Sequence, residues 1–309
     1  MDKKSSIAVL LCSYNGSEYI RQQIDSIINQ SEPNWTVFVS DDGSTDGTLD
    51  ILQSYRDKLG SKRFIIINGP GKGFAWNFLS LLEKCGDHFD YYAFSDQDDE
   101  WMPNKLTKSV SVLSNYDCDA PSVYCGRTSL VDENGLSLGE SPLFSKPASF
   151  KNALIQSIAG GNTMVLNRAA RNVINKTSKD VRIISHDWWI YIVITAVGGN
   201  IYYDPKPTIS YRQHTNNIVG SNLGWIARFQ RISGLLDGHF KEWIDSNIYA
   251  LNKTDINITA DNKHYLEMFN DVRNSNLFKR LYVFRKLGMY RQTILGTLGL
   301  YVAVFLKKL

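Results

Sequence analysis

Aspartates recur in this chain at places where a cation and a proton acceptor would need them. Asp41-Asp42-Gly43-Ser44 and Asp96-Gln97-Asp98-Asp99 each follow directly on an apolar run, Thr36 to Ser40 and Tyr91 to Ser95. A third polar segment, Ser13-Tyr14-Asn15, follows the run Ile7 to Cys12. Carboxylates gathered in one place repel each other unless something positive joins them. A divalent cation carrying a phosphorylated ligand does so, and hard oxygen donors suit Mg²⁺ or Mn²⁺. Taken singly, the first cluster also reads as a turn and helix cap, and the second as a solvated loop. Their joint occurrence at successive strand ends favours a shared site. Elsewhere, Ile184-Ser185-His186-Asp187-Trp188-Trp189 sets a carboxylate and an imidazole beside two indoles, and His214 lies in Tyr211-Arg212-Gln213-His214-Thr215-Asn216-Asn217. Asp187 also reads as a helix N-cap, and a lone His is more often structural. Lys72 stands in Gly69-Pro70-Gly71-Lys72-Gly73, which lacks the spacing of a Walker loop or a dinucleotide fingerprint.

The elements that must position these residues alternate over the first 130 or so residues, which predicts an α/β fold with a mainly parallel sheet and helices on both faces. Ile7 to Cys12 is apolar throughout, as a strand buried on both sides should be. Ser17 is the expected cap of a helix from Glu18 to Gln30, whose Ile20, Ile24, Ile27 and Ile28 form one stripe. Thr36 to Ser40 is the second strand, and Asp46 the cap of the helix through Leu49, Leu52 and Tyr55. Phe64 to Ile67, Phe74 to Lys84, Tyr91 to Ser95 and Lys105 to Leu113 continue as strand, helix, strand, helix. Ser122 to Val131 reads as one strand, with Asp132-Glu133-Asn134-Gly135 as a turn. Gly160-Gly161-Asn162 precedes an apolar strand, Asp187 to Ala196 is a helix, and Ile201-Tyr202-Tyr203 is strand-like. Beyond Gly220 the chain reads as helical. In an open α/β sheet ligands bind at the carboxyl ends of the strands, where the strand order reverses; all three polar segments are placed there.

Three motifs together resemble the inverting family-two glycosyltransferases of GT-A fold: Val9-Leu10-Leu11-Cys12-Ser13-Tyr14-Asn15-Gly16, Val39-Ser40-Asp41-Asp42-Gly43-Ser44-Thr45-Asp46-Gly47-Thr48, and Phe94-Ser95-Asp96-Gln97-Asp98-Asp99. The resemblance covers roughly residues 5–220 and implies a catalytic domain over 1–220 with a helical extension over 221–309. It implies that Ser13, Tyr14, Asn15, Asp41, Lys72 and Asp96 bind the donor. Asp41 then accepts the pyrimidine N3–H of a nucleotide sugar, and Asp96 faces the ribose or a metal-bound water. Asp98 holds Mg²⁺ or Mn²⁺, and His214 resembles a histidine that ligates the metal or contacts the diphosphate. Asp187 is the matching general base for the acceptor hydroxyl, with His186 standing where relatives commonly have Glu. Gly161 and Asn162 match a small-residue segment lining the acceptor side, and Trp188 and Trp189 are aromatics able to stack on sugar. The absence of Q-x-x-R-W downstream favours transfer of a single sugar. The His186 to Trp189 and Tyr211 to Asn217 segments look most like bacterial rhamnosyltransferases of surface polysaccharide synthesis. That resemblance implies dTDP-L-rhamnose as donor, with a UDP-hexose or UDP-N-acetylhexosamine as the rival, and a glycan or polyprenyl-diphosphate-linked glycan as acceptor.

Composition bounds the rest. With 309 residues, 43% hydrophobic and 21% charged, the chain can pack a core and is not broadly disordered. A net charge of +3 gives no reason to expect nucleic acid. Its distribution is uneven: residues 272–309 hold eight Lys and Arg and no Asp or Glu, so the preceding body is net acidic. Such a tail predicts an anionic membrane surface as partner. Gln292 to Leu306 is 15 uncharged residues, short of the ~20 that span a bilayer. An interfacial helix fits better than a spanning one, its alternative being a helix packed on the core. The four cysteines show no C-x-x-C pair, and no signal peptide precedes the first strand, so a reduced, cytoplasmic enzyme, peripheral on the inner face of the membrane, is expected. A missing G-x-G-x-x-G argues against a dehydrogenase, and Ser13-Tyr14-Asn15-Gly16 stands where a nucleotidyltransferase has a basic Gly-rich loop. A non-catalytic sugar- or nucleotide-binding scaffold is the remaining alternative.

Overall fold

The computed structural model describes residues 5–214 and 238–309. Its main sheet has seven strands, in spatial order β10-β6-β9-β4-β1-β2-β3. They are β1 (Ile7–Ser13), β2 (Trp35–Asp41), β3 (Phe64–Asn68), β4 (Tyr91–Ser95), β6 (Ser122–Gly126), β9 (Val165–Asn167) and β10 (Asn200–Asp204). Only β9 runs antiparallel to its neighbours, so the sheet is mainly parallel. The chain passes outward from β1 through β2 to β3, then returns to place β4 on the other side of β1. The order therefore reverses between β1 and β4, where a ligand crevice is expected.

The apolar run of β1 shows why such a strand is buried on both faces. Ala8, Leu10 and Cys12 join one core, while Ile7, Val9 and Leu11 join the other, the two-residue period of a strand. One core takes the stripe Ile20, Ile24 and Ile27 of α1 (Ile20–Ile28), Ile51 and Leu52 of α2 (Thr48–Leu59), and Leu106 and Leu113 of α4 (Lys105–Leu113). The other takes α3 (Phe74–Lys84), α5 (Phe150–Ala153), α6 (Arg168–Ile174) and α7 (His186–Ala196). Helices thus cover both faces.

Local differences from the sequence reading have local causes. Helix α1 starts at Ile20, with Tyr19 as N-cap and no side-chain cap. Ser17 is not the cap, because the helix begins three residues beyond it; its N–H goes to Asp46 Oδ2 at 3.0 Å. Asp46 stands one residue before the N-cap of α2, which is Gly47 at φ +89°. Its Oδ1 still takes Thr48 N–H at 3.1 Å, so one carboxylate ties the start of α2 to the loop after β1. Against the opposing effect of burial, four hydrogen bonds from Ser17 and Thr48 hold its carboxyl well below the usual carboxylate range.

Ser122 to Val131 is two strands rather than one. After Gly126, Arg127 N–H bonds Asp204 O and the chain leaves the main sheet. β7 (Ser129–Val131) then joins β8 (Ser137–Glu140), β11 (Ile209–Arg212) and the short β5 (Glu100–Trp101) in a second sheet, in order β5-β11-β7-β8. Beyond residue 237, α8 (His239–Lys253), α9 (Ala260–Arg273), α10 (Leu277–Leu287) and α11 (Ile294–Phe305) complete the chain. Their Phe240, Ile244, Phe269, Phe284 and Leu300 belong to the same core as α3 and α7. The expected boundary at 220/221 and residues 215–217 of the His214 segment lie outside the described residues. No described helix is long and apolar enough to cross a membrane.

Candidate active site

Strand register places the polar segments together. Ser13 pairs with Asp41 across β1 and β2, and Leu11 with Ser95 across β1 and β4. The three polar strand ends therefore share the carboxyl edge of the sheet. The loops beyond them are knitted by their own side chains. Asn15, at φ +48°, receives Thr45 N–H on its Oδ1 at 2.8 Å and gives its own N–H to Ser44 Oγ at 2.8 Å. Gln97 clamps Tyr14 from both sides, accepting its N–H at 2.8 Å and donating to its carbonyl at 3.1 Å. The Tyr14 ring itself is 60% exposed at this edge.

Asp41 is buried and fully engaged. It accepts from Ser13 Oγ (2.8 Å), Ser44 Oγ (2.6 Å), Ser44 N (2.8 Å) and Gly43 N (3.2 Å). Four bonds fill the usual capacity of a carboxylate. A base N–H therefore reaches Asp41 only in exchange for one of these hydroxyls. Its neighbour Asp42, which the sequence reading left without a role, accepts Gly71 N–H at 2.6 Å and so anchors the Gly69 to Gly73 loop. The approach is close: a Cβ on Gly69 would lie 2.5 Å from Asp42 Oδ1. Lys72 is exposed on that loop.

The second cluster carries the electrostatics. Burial and the negative charges of Asp98 and then Asp187 push the Asp96 carboxyl up to about 8. The loop after β4 and the start of α7 thus converge on one spot, although about 90 residues separate them in sequence. Asp99 is fully buried and likewise held well above the usual carboxylate range by burial, Asp98 and Asp96. It accepts from Asn162 Nδ2 and from Arg212 N–H at 3.3 Å. Asp98 Oδ2 lies 2.9 Å from His214 Nε2. Arg212 builds that pairing. Its guanidinium bonds Asp98 O (3.2 Å), Glu133 O (3.0 Å) and Gln22 Oε1 (2.7 Å), and packs 4.9 Å from the Tyr19 ring, which stacks on His214 at 5.1 Å.

The donor chemistry of Asp98 and His214 fits a divalent ion. Adjacent ligands of an octahedral ion at ~2.1 Å lie about 3 Å apart, which is the spacing of this pair. Two such protein ligands would leave the other positions to other oxygen donors, as Mg²⁺ prefers. Among the described residues, the three-member group of possible ligands within 4.8 Å of one another is Asp117, Cys118 and Asp119, all exposed and outside these clusters.

Asp187 occupies the first turn of α7, while the N-cap position belongs to Ser185. A carboxylate there is favoured by the helix dipole, and Ser157 Oγ approaches its Oδ2 at 3.4 Å. The residues around it are placed differently from the sequence reading. Trp188 and Trp189 are core side chains, 6% and 0% exposed. Their indole N–H groups are bonded to Ala153 O (2.7 Å) and Thr177 Oγ1 (2.8 Å), so neither offers a face for stacking on a sugar. The space left by Gly161 is taken by His186: a Cβ there would lie 1.9 Å from its Nε2. Asn162 is committed to Asp99. His186 is buried against Phe78, with centroids 4.1 Å apart, and both its ring nitrogens lack a hydrogen-bond partner. Burial pushes it down to about 4, against the opposing pull of Asp187.

Sequence reasoning missed Asp42, Gln97, Asp99 and Arg212. The first three stand inside the motifs already singled out. Arg212 gave no signal beyond its nearness to His214.

A mainly parallel sheet whose carboxyl edge gathers carboxylates from the strand ends on either side of β1, with a further one from a distant helix start, defines a glycosyltransferase of GT-A fold. The chain belongs to glycosyl transferase family 2, whose family model matches residues 8–184. It is 30% identical over 239 residues to the dTDP-rhamnosyl transferase RfbG of Shigella flexneri, covering 72% of this chain and 78% of that one. It is 28% identical over 219 residues to the putative teichuronic acid biosynthesis glycosyltransferase TuaG of Bacillus subtilis, covering 71% and 83%. The mannosyltransferase PcManGT of Pyrobaculum calidifontis, solved with GDP-Man and Mn²⁺, superposes with a TM-score of 0.54 at 17% identity, over 99% of this chain and 88% of that one. That likeness is one of fold.

Proposed function

We propose that this glycosyltransferase moves a single sugar from dTDP-L-rhamnose to a hydroxyl of a glycan acceptor, with inversion and with a divalent cation, in the synthesis of a bacterial surface polysaccharide. The observation that carries the chemistry is the meeting of Asp98 and His214 at 2.9 Å beside Asp96, a carboxyl on which the charges of Asp98 and Asp187 both act. The similarity to RfbG supports the donor, and that to TuaG the polysaccharide context. Asp98 and His214 would hold Mg²⁺ or Mn²⁺, whose charge would offset that growing on the leaving diphosphate. Asp96 faces the donor's ribose or a water of the ion. The knitted loops of Ser13, Tyr14, Asn15 and Asp41 hold the nucleoside, with Tyr14 free to stack on the base and Lys72 within the loop beside Asp42. Asp187 takes the proton from the attacking acceptor hydroxyl; Ser157 steadies Oδ2 and leaves Oδ1 for that work. The acceptor is a glycan on a polyprenyl diphosphate, which places the reaction at the inner face of the cell membrane.

A thermal-shift panel of dTDP-, UDP- and GDP-sugars, each with and without Mn²⁺, tests this reading, because a specific ligand stabilises according to its concentration over its Kd. Stabilisation by dTDP-L-rhamnose that needs Mn²⁺ and is lost in Asp98→Ala is the expected result. Preference for a UDP-sugar would replace the donor and keep the chemistry. A flat response to all of them would overturn it.

A further inference from the structure

The C-terminal helices bury one side and leave the other apolar. On α11, Leu300, Ala303 and Val304 are buried, whereas Ile294, Leu295, Leu298, Val302 and Phe305 are exposed. At 3.6 residues per turn those five fall within one arc of about 100°, opposite the buried stripe. Ile294 and Leu295 are 76% and 73% exposed. Helix α10 repeats the arrangement: Phe278 and Tyr282, 85% and 71% exposed, share a face with exposed Lys279, Arg285 and Lys286, while Arg280, Phe284 and Leu287 turn inward. The two helices adjoin, with Phe284 and Tyr301 edge to face at 5.4 Å. Large apolar side chains massed on adjoining helices mark an interaction surface.

Charge says what covers it. Residues 272–309 carry eight Lys and Arg and no carboxylate side chain. Arg273 is paired with Asp245 at 2.5 Å and Arg280 is buried, but Lys279, Arg285, Lys286 and Lys307 are exposed beside the apolar stripes. A second copy of the chain would set these cations against their like. Anionic lipid brings the opposite charge and an apolar interior together. Helix α11 has 12 residues, about 18 Å, against a hydrocarbon core of ~30 Å. It can lie in the interface but not cross it.

We propose that α10 and α11 form a membrane-docking face. Phe278, Tyr282, Leu298, Val302 and Phe305 enter the interface of an anionic bilayer, and Lys279, Arg285, Lys286 and Lys307 meet its phosphates. This deepens the reading above, on which it rests only for the lipid-linked acceptor the face would bring within reach.

Flotation of the full chain with vesicles of phosphatidylglycerol and phosphatidylcholine, compared with phosphatidylcholine alone, tests it. Binding to the anionic vesicles only is expected. Lys279→Gln, Lys286→Gln and Lys307→Gln should each lower partitioning about fivefold. The pair Leu298→Asp and Phe305→Asp should lower it at least tenfold, and the nucleotide-sugar thermal shift should persist in every variant. No wild-type binding, or equal binding by the Asp pair, would overturn the docking face. So would a wild-type dimer in sedimentation that the Asp pair renders monomeric, since the occupant would then be a second copy. Vesicle binding without any nucleotide-sugar shift would retain the face and remove the catalytic reading; the converse would do the reverse.

Discussion

Asp187 and His186 are neighbours in one helical turn with opposite surroundings. Asp187 is half-buried at the dipole end of α7, facing the Asp96 cluster, and its proposed work is proton acceptance. Asp187→Asn is nearly isosteric, so donor affinity in calorimetry should stay unchanged while kcat for transfer falls by about 10²–10⁴. A variant that transfers at the wild-type rate would dismiss it as the base. His186 makes a prediction in stability. Its folded value of about 4 lies below the ordinary 6.5, so between these two the unfolded chain binds a proton that the folded chain does not. Stability should therefore fall as pH drops through 6.5 and level off below about 4, with about 3 kcal/mol at stake. Urea midpoints at pH 7.5 and pH 5 should differ less in His186→Leu than in the wild type. The sequence showed which residue types were present at 186 to 189. It did not show that the two indoles turn inward, because α7 is apolar on every side and its periodicity names no exposed face.

At the scale of elements, the turn Gly161–Thr163 and the start of α7 are fitted to each other. Gly161→Ala must push His186 off the Phe78 ring, at a cost of about 1–3 kcal/mol. His186→Ala in the same chain should recover part of that loss, and a double-mutant cycle in urea measures the coupling. Strands β1 and β4 and helices α3 and α4 were legible nearly to the residue, since each is a strong apolar pattern bounded by polar or glycine residues. The division of Ser122 to Val131 was not. Alternation records which side chains are buried, but not which sheet a strand joins, and here the exit after Gly126 is set by Asp204, some 80 residues on. The caps of α1 and α2 escaped for a related reason: Ser17 bonds across the loops to Asp46, and Asp46 reaches Thr48 from one residue before the N-cap, so neither fills the cap position itself.

For the whole molecule, the C-terminal helices are part of the core rather than an appendage to it. Phe240, Ile244, Phe269 and Phe284 are buried in the cluster that also holds α3 and α7. A chain ending at residue 214 would expose that side of α7, and it is expected to aggregate or to lose cooperative unfolding. In the full chain, urea transitions followed by tryptophan fluorescence and by circular dichroism should coincide, and separated transitions would mean that the helices fold on their own.

By itself, the sequence determined the family, the α/β alternation and the three polar segments at strand ends, because these are local matters of residue type, period and spacing. Tertiary structure alone decided that Asp98 meets His214, that the charge of Asp187 acts on Asp96, that Trp188 and Trp189 turn into the core, and that Asn162 is committed to Asp99. Charge interactions and burial act through space, between residues whose separation along the chain carries no record of their nearness.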